Sequence, residues 1–520
     1  MTELFHGTWW ERQKGKSFEA LAPGRFTKLF PGLDTAHSDG HDLQLLAEAM
    51  TSDQEPTPTP EDERDPEEDS EITAAYTYLG QFVDHDLTFD PTSTLREFLD
   101  DQRIDGLKDY RTPRFDLDNL YGRGPDDQPY LYESDGIHMQ LGERMSGNPF
   151  DPDASQVPRG PNGRALIGDP RNDENRIVAQ LHAIFLRFHN RVADYLAETG
   201  SPAAFDDVRH QVRWHYQFML VTDFLPAVIN HETYTSVFPG PYQPADPRLP
   251  GLQNGLQLMP VEFSVAAYRF GHSMIRPLYR LNTTIERRPI FTRDRHDGAY
   301  VDDAADLGGF RRIPADWAID WQFFIDLEHG AQPTAIGPLY DPIKRKPQSA
   351  YKIDTSLVSP LRYLPPRIAK NPSILALRNL ERGRTFELAS GQAVAAALGE
   401  EPIPDEELVI GKATADDPKK PLPKVAKGFA GQAPLWAYIL SEAQVKSWEK
   451  ADPGMAKDDI PVKLGPVGGR IVAEVFAALL RRDRTSYLRR ETAFKPIPKF
   501  TRDGKFGLAE LVNVALGRTP

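Results

Sequence analysis

Between residues 174 and 199 the apolar side chains Ile177, Leu181, Phe185, Phe188, Val192 and Tyr195 recur every three or four positions. Only an α-helix lays such a series on one face. A helix of that length would run across most of a domain, at roughly 1.5 Å per residue, so the rest of the chain has to pack against it. The same spacing predicts helices over 71–89 (Ile72, Ala75, Leu79, Phe82, Val83), 206–229 (Val208, Val212, Tyr216, Met219) and 260–275 (Val261, Val265, Tyr268, His272, Ile275). Further helices are expected near 374–382, 435–450 and 467–480, with a shorter apolar patch at 43–50. Period-2 strands are scarce, and no strand–helix alternation suggests a parallel sheet. The expected fold is mostly α, with long loops and little β.

Length and composition narrow the organisation. The 520 residues exceed what one simple core holds, and 46 prolines with 38 glycines point to long ordered connections. Residues 51–70, TSDQEPTPTPEDERDPEEDS, are acidic and proline-rich and read as an exposed, mobile segment. The expected division is therefore an N-terminal extension at 1–70 and one large helical domain at 71–520. The absence of cysteine excludes disulfides, iron–sulfur clusters and thiolate ligands. A net charge of −15 argues against nucleic acid as a partner. The N-terminus has no apolar signal core, and no stretch is long enough to span a bilayer. A soluble protein is expected, cytoplasmic or exported without a recognisable signal peptide.

Five stretches carry polar chemistry. Gly80-Gln81-Phe82-Val83-Asp84-His85-Asp86 closes an amphipathic helix with a histidine between two aspartates. Adjacent helical residues point in different directions, so the three either do three different jobs or form a solvated helix end. Thr112-Pro113-Arg114-Phe115-Asp116-Leu117-Asp118 alternates oxygen-bearing residues, which suits a hard cation or a turn capped by two aspartates. Asp169-Pro170-Arg171-Asn172-Asp173-Glu174-Asn175 is also an ordinary helix start. In Tyr268-Arg269-Phe270-Gly271-His272, His272 shares an apolar stripe and Gly271 leaves room for something flat to approach. A core histidine is the alternative. Leu377-Arg378-Asn379-Leu380-Glu381-Arg382 brings an asparagine and arginines together near a helix end.

Taken in this order, the five stretches resemble the peroxidase–cyclooxygenase superfamily, the animal-type haem peroxidases that include myeloperoxidase and lactoperoxidase, and most of all its bacterial members. The resemblance covers roughly residues 70 to 485. It implies a large haem-peroxidase helical domain with haem b. His85 resembles the distal histidine, Gln81 the glutamine that holds pocket water, and Arg171 the distal arginine. Asp84 and Glu174 match the carboxylates that form ester links to haem. His272 resembles the proximal iron ligand, and Asn379 the partner that accepts its other ring N–H. Arg269 and Arg382 match arginines near the propionates. Asp86, Thr112, Arg114 (through its carbonyl), Asp116 and Asp118 match a Ca2+ site. Asn175 replaces the methionine that mammalian myeloperoxidase links to haem, so no sulfonium bond and no efficient chloride oxidation are expected.

The implied activity is reduction of hydrogen peroxide and oxidation of small organic or (pseudo)halide donors through a ferryl intermediate. Which donor, and the oligomeric state, stay open. The alternative within the superfamily is a fatty-acid dioxygenase, which uses a tyrosine three residues before the proximal histidine. Arg269 occupies that position, and Tyr268, four before, is expected to face elsewhere. A calcium-dependent adhesion or matrix protein is a second alternative, set against a full complement of catalytic positions. A non-haem metal site at His37 and His41 is a third, set against a plain solvated turn. His182 and His189 are expected to pack or hydrogen-bond.

Overall fold

The computed structural model describes residues 24–52, 70–89, 108–200, 204–253, 259–292, 304–328, 347–366, 368–369 and 371–520. Most of the acidic 51–70 segment therefore lies outside the described residues. Among those described, nine helices of eight or more residues carry the architecture: α1 Gly40–Ala49, α2 Ala74–Leu87, α3 Arg176–Glu198, α4 Phe205–Met219, α5 Leu375–Thr385, α6 Gly391–Leu398, α7 Leu435–Lys450, α8 Pro466–Arg482 and α9 Leu508–Ala515. Strands are two to four residues long and form one three-stranded and two two-stranded sheets. The mostly α reading holds.

Helix α3 starts where Asn175 accepts the Ile177 N–H (2.7 Å), a side-chain cap for an otherwise unpaired donor. Its first fourteen residues, Arg176–His189, are all buried. Aromatic packing fixes α2 against it. Phe82 stacks on Phe185 with centroids 4.4 Å apart, and Tyr216 of α4 meets both rings edge-on. This contact fixes the rotation of α2 about its axis.

Two expected helices are interrupted. After α4 the backbone widens into a π turn at Leu220–Phe224 before a last helical turn at Leu225–Val228. Pro226 has no N–H to give to the carbonyl four residues back, which favours such a widening. The 260–275 helix is two pieces: an α turn at Val261–Val265, a break at Ala266 (φ −131°, ψ −75°), and a 3₁₀ helix at Ala267–His272. A 3₁₀ helix has about three residues per turn, so faces inferred from a 3.6-residue period do not carry through it.

The described part of the stretch expected as an N-terminal extension is built into the body. Strand β1 (Gly24–Thr27) lies between β2 (Lys108–Asp109), antiparallel, and β3 (Met259–Pro260), parallel. Leu43, Leu46 and Ala47 of α1 are buried in the same core as α3. Glu262 accepts the Leu29 and Phe30 N–H groups (2.8 and 3.1 Å), tying this segment to the α turn that precedes the 3₁₀ helix carrying His272. Histidines 37 and 41 belong to the start of α1: Asp39 caps the helix through the His41 N–H, and His37 Nε2 pairs with Asp42 (2.9 Å).

Helix α8 is buried from Val467 to Leu480 and apolar on nearly all sides, as a central helix should be. A Cβ on Gly468 would lie 2.4 Å from Ile439 Cγ2 of α7, so only glycine permits this approach. Glu442 of α7 accepts the first N–H groups of α8, from Val467 and Gly468 (both 3.0 Å). Burial raises its pKa to about 7, against the lowering effect of those two donors. Glu442→Ala should cost about 1–3 kcal/mol, because two buried N–H groups lose their acceptor. Glu442→Gln should cost less, since an amide oxygen still accepts. Urea denaturation of the three proteins checks the ranking.

Candidate functional site

A cavity of about 310 Å³ opens between α2, the turn that leads into α3, and the 264–275 segment. Gln81, Asp84 and His85 line it from α2, Arg171, Glu174 and Asn175 from the turn, and Tyr268, Arg269, Gly271 and His272 from the 3₁₀ segment. A Cβ on Gly271 would meet nothing within 4 Å, so the backbone there faces open space. Both histidines expected to flank a prosthetic group are thus on the walls of one cavity, although 187 positions separate His85 from His272.

On the first wall His85 is 4% exposed. Its Nε2 lies 3.7 Å from Glu174 Oε1, and its Nδ1 meets Asn172 Oδ1 at 2.7 Å. Burial, with Arg171 nearby, lowers its pKa to about 3, so the imidazole is neutral. Burial raises Asp84, and it raises Glu174 to about 7, in both cases against the pull of Arg171. Arg171 is itself held in place. It donates to Asp169 through Nε and Nη2 (3.2 and 2.8 Å) and to the Thr88 carbonyl (2.6 Å), and it lies 4.6 Å from the Phe89 ring centre. Asp169 also takes Arg111 Nε at 3.0 Å.

On the second wall, burial and then Arg269 lower the His272 pKa to about 3, again leaving a neutral ring able to ligate a metal. Phe263 stacks on Tyr268 (4.7 Å), and Trp436 of α7 donates to the Arg269 carbonyl (3.3 Å), which fixes the segment from behind. Asn379 of α5 reaches His272 Nδ1 at 2.8 Å, as expected, but with the reverse polarity. Its oxygen is taken by Arg269 Nη1 (2.8 Å), so its amide N–H faces the ring. Burial, then Arg382, brings the Arg269 pKa down to about 10. Arg269 has no ion-pair partner within 4.0 Å among the described residues, so this guanidinium suits an anionic group entering the cavity. The open backbone at Gly271, the neutral rings and this cation are the features a haem with propionates would need. Arg382 stands further off, 5.9 Å from the Phe386 ring centre, and does not line the cavity.

A second cluster adjoins the first. Asp86 points away from the cavity, and its carboxylate lies within 4.8 Å of those of Asp116 and Asp118. No hydrogen bond of 3.5 Å or less reaches either oxygen of Asp86, and the Tyr216 hydroxyl is its nearby polar neighbour. Burial and then the other two carboxylates push its pKa well above the usual range. The Thr112 hydroxyl donates to Asp116 (2.7 Å), and the Arg114 N–H donates to the Thr112 carbonyl (2.7 Å) in the same loop. Arg111 pairs with Asp118 at 3.3 Å. Among the described residues this is the one group of three or more acidic or imidazole side chains converging as metal ligands would. The three consecutive residues 84–86 do face different environments.

Two features escape the spacing argument. Tyr268 was expected to face elsewhere, but the 3₁₀ winding turns it onto the cavity wall, where its hydroxyl has no partner. Asn172 and His182 were not assigned to the site, yet they form a buried chain behind His85, with Asn172 Nδ2 3.0 Å from His182 Nδ1. Their position depends on how the 169–175 turn folds over α3, and no periodicity in the sequence encodes it.

Residues 107–299 match the animal haem peroxidase family model. Thyroid peroxidase of Canis lupus familiaris is 33% identical over 130 residues, covering 24% of this chain and 13% of that protein. Peroxidasin of Drosophila melanogaster is 25% identical over 328 residues, covering 62% and 18%. The matched stretches are thus under one fifth of either relative's length. Two solved structures share the fold. Peroxidase A from Dictyostelium discoideum has a TM-score of 0.52 at 16% identity, covering 94% of this chain and 95% of that one. A fatty acid alpha-dioxygenase from Arabidopsis thaliana has a TM-score of 0.53 at 15% identity, covering 93% and 75%. No helix among the described residues is long and apolar enough to cross a membrane.

The guanidinium network gives a stability test. Burial alone would raise Asp169, but the charge and hydrogen bonds of Arg171, then Arg111, outweigh it and hold the carboxyl well below its usual range. A depressed carboxyl contributes stability that is present above about pH 4 and is lost as pH falls. Asp169→Ala should cost about 3–5 kcal/mol at neutral pH by leaving Arg171 without its counter-ion and Arg111 with Asp118 alone. Its stability should also fall less steeply than that of the parent protein below about pH 4. Guanidinium chloride unfolding at several pH values measures both.

Proposed function

We propose that the chain is a haem peroxidase of the peroxidase–cyclooxygenase superfamily, reducing hydrogen peroxide and oxidising small organic or (pseudo)halide donors; the match of residues 107–299 to the animal haem peroxidase family supports this reading. The observation that carries this reading is a single cavity lined by a neutral His85 with Arg171 and by a neutral His272 backed by Asn379. Bound haem would supply the iron at which the peroxide O–O bond is cleaved and the electrons for that cleavage. His85 Nε2 would take the proton from the inner peroxide oxygen and return it to the outer one, which leaves as water. Arg171, already oriented by Asp169, would stabilise the negative charge that develops as the bond breaks. Gln81 would hold water in the pocket.

His272 would ligate iron through Nε2, which requires its proton on Nδ1 and an acceptor opposite. A half-turn of the Asn379 amide supplies that acceptor once Arg269 turns from its oxygen to a propionate. Arg382 would add positive charge on the same side. Asp84 and Glu174, both on the cavity wall, are the side chains available for ester links. Asp86, Asp116 and Asp118, with the Thr112 hydroxyl and the Arg114 carbonyl, would hold Ca2+, an oxygen ligand set that suits a hard cation. That ion would relieve the mutual repulsion of the three carboxylates and steady the helix end that carries His85.

Protein expressed with hemin should show a Soret band. His272→Ala should lose the band or change the ligation spectrum. His85→Leu should keep the band and react with peroxide about 10²–10⁴-fold more slowly, as expected for loss of a general acid–base. A colourless parent protein, or unchanged ligation in His272→Ala, overturns the reading. Chelator treatment should lower the melting temperature and added calcium restore it, with the difference absent in Asp116→Asn/Asp118→Asn.

One observation favours a second reading, a fatty-acid dioxygenase of the same superfamily. The unpartnered hydroxyl of Tyr268 stands in the cavity wall, where a phenol could be oxidised. Oxygen uptake with linoleate separates the two. Robust uptake without added peroxide, abolished in Tyr268→Phe, would replace the peroxidase reading, whereas no uptake in either protein is the expected result.

A further inference from the structure

His85 can serve as a base only if its cavity-facing nitrogen carries no proton. A neutral imidazole has one N–H, so the tautomer decides whether the ring accepts or donates at that point. On the Nδ1 side burial excludes water: Asn172 and His182 are 0% exposed, whereas Nε2 faces the cavity. The partner of Nδ1 therefore sets the state of Nε2.

That partner is Asn172, whose Oδ1 lies 2.7 Å from His85 Nδ1 and whose Nδ2 lies 3.0 Å from His182 Nδ1. An amide oxygen only accepts and an amide nitrogen only donates. With the oxygen toward His85, Nδ1 must hold the proton, and Nε2, facing the cavity 3.7 Å from Glu174 Oε1, keeps a free lone pair. At its other end the amide donates to His182 Nδ1, so the two rings have linked tautomers. If the amide turned over, both rings would have to exchange protons between their nitrogens. His182 also stands edge-on to Phe82 (6.0 Å, 66°), the ring that locks α2 onto α3, so it is anchored in the core.

Resting on the peroxidase reading above, we infer that Asn172 is a positioning residue that holds His85 in the tautomer able to take a proton at Nε2, with His182 as the anchor of the amide. Neither residue touches the reacting atoms. Their effect passes through His85 alone, and no electron moves in the step they control. The proton goes from an incoming weak acid, peroxide or hydrogen cyanide, to His85 Nε2.

The test uses the haem-loaded protein at fixed neutral pH and measures two association rates by stopped-flow at the Soret band, one with hydrogen peroxide and one with cyanide. Cyanide entry also needs a base to take the proton of HCN but involves no turnover. Asn172→Leu should slow both by about 10–100-fold, the usual cost of removing a second-layer partner, with the ferric Soret band unchanged. Asn172→Asp, which still accepts from Nδ1, should stay within about tenfold of the parent on the same scale. His182→Leu should slow both rates, and Asn172→Leu/His182→Leu should be no slower than Asn172→Leu, because the two act as one unit. Rates in Asn172→Leu equal to the parent's overturn the inference while leaving the peroxidase reading intact. If Asn172→Leu fails to fold, unchanged rates in His182→Leu overturn it equally. A parent protein that binds haem but ignores peroxide overturns the peroxidase reading and this inference with it.

Discussion

Asp84, His85 and Asp86 are consecutive on one helical turn, and the fold has to give each a different surrounding. Uncompensated charge in a protein interior costs several kcal/mol per ion even after relaxation, so the positions of the other charged groups follow from this turn. Asp84 faces the cavity, within the influence of Arg171 on its own wall and Arg269 on the other. Asp86 joins Asp116 and Asp118, a grouping that repels itself unless a cation or protons intervene. His85 stays neutral between them. Asp169 then anchors both Arg171 and Arg111, and Arg111 reaches on to Asp118, so the cavity and the carboxylate cluster share one electrostatic framework. The aromatic stack of Phe82, Phe185 and Tyr216 matters because it fixes the rotation of α2 on which these directions depend.

Much of this is legible in the amino-acid sequence. Helical periodicity located α2, α3, α7 and α8 to within a few residues, because each buries a broad apolar face that its spacing records. Of the five polar stretches, those at 80–86, 169–175 and 268–272 supply residues that line one cavity, the 112–118 stretch joins Asp86 in the carboxylate cluster beside it, and Asn379 of the last backs His272. Periodicity failed where the backbone leaves the 3.6-residue repeat. In the 3₁₀ winding at Ala267–His272, Tyr268 turns onto the cavity wall although helical spacing put it elsewhere. It was silent on the Asn172–His182 chain, which depends on tertiary packing of an irregular turn. Nor could it give the polarity of the Asn379 amide, which Arg269 sets by taking the oxygen. The acidic run at 51–70 suggests an extension that ends at residue 70, yet Leu43 and Leu46 of α1, before it, are as deeply buried as the centre of α3.

The site separates reactivity from rigidity. Three groups on the cavity wall, His85, Arg171 and His272, each lean on a second residue that does not line the cavity: Asn172, Asp169 and Asn379 in turn. Such backing is what keeps a reactive side chain within the few tenths of an ångström that proton transfer demands. The peroxidase and dioxygenase readings share all of this scaffolding and differ in the use of one phenol.

The small sheet at the N-terminal edge has a consequence for how the chain reaches this state. Strand β1, at residues 24–27, pairs with partners at 108–109 and 259–260, so its ladder closes only after some 230 further residues are available. Contacts that distant in sequence carry a high loop-closure cost and slow the search for the native topology. During synthesis Phe26, Leu29 and Phe30 therefore cannot meet their native partners at 259–262 until more than two hundred further residues have been made.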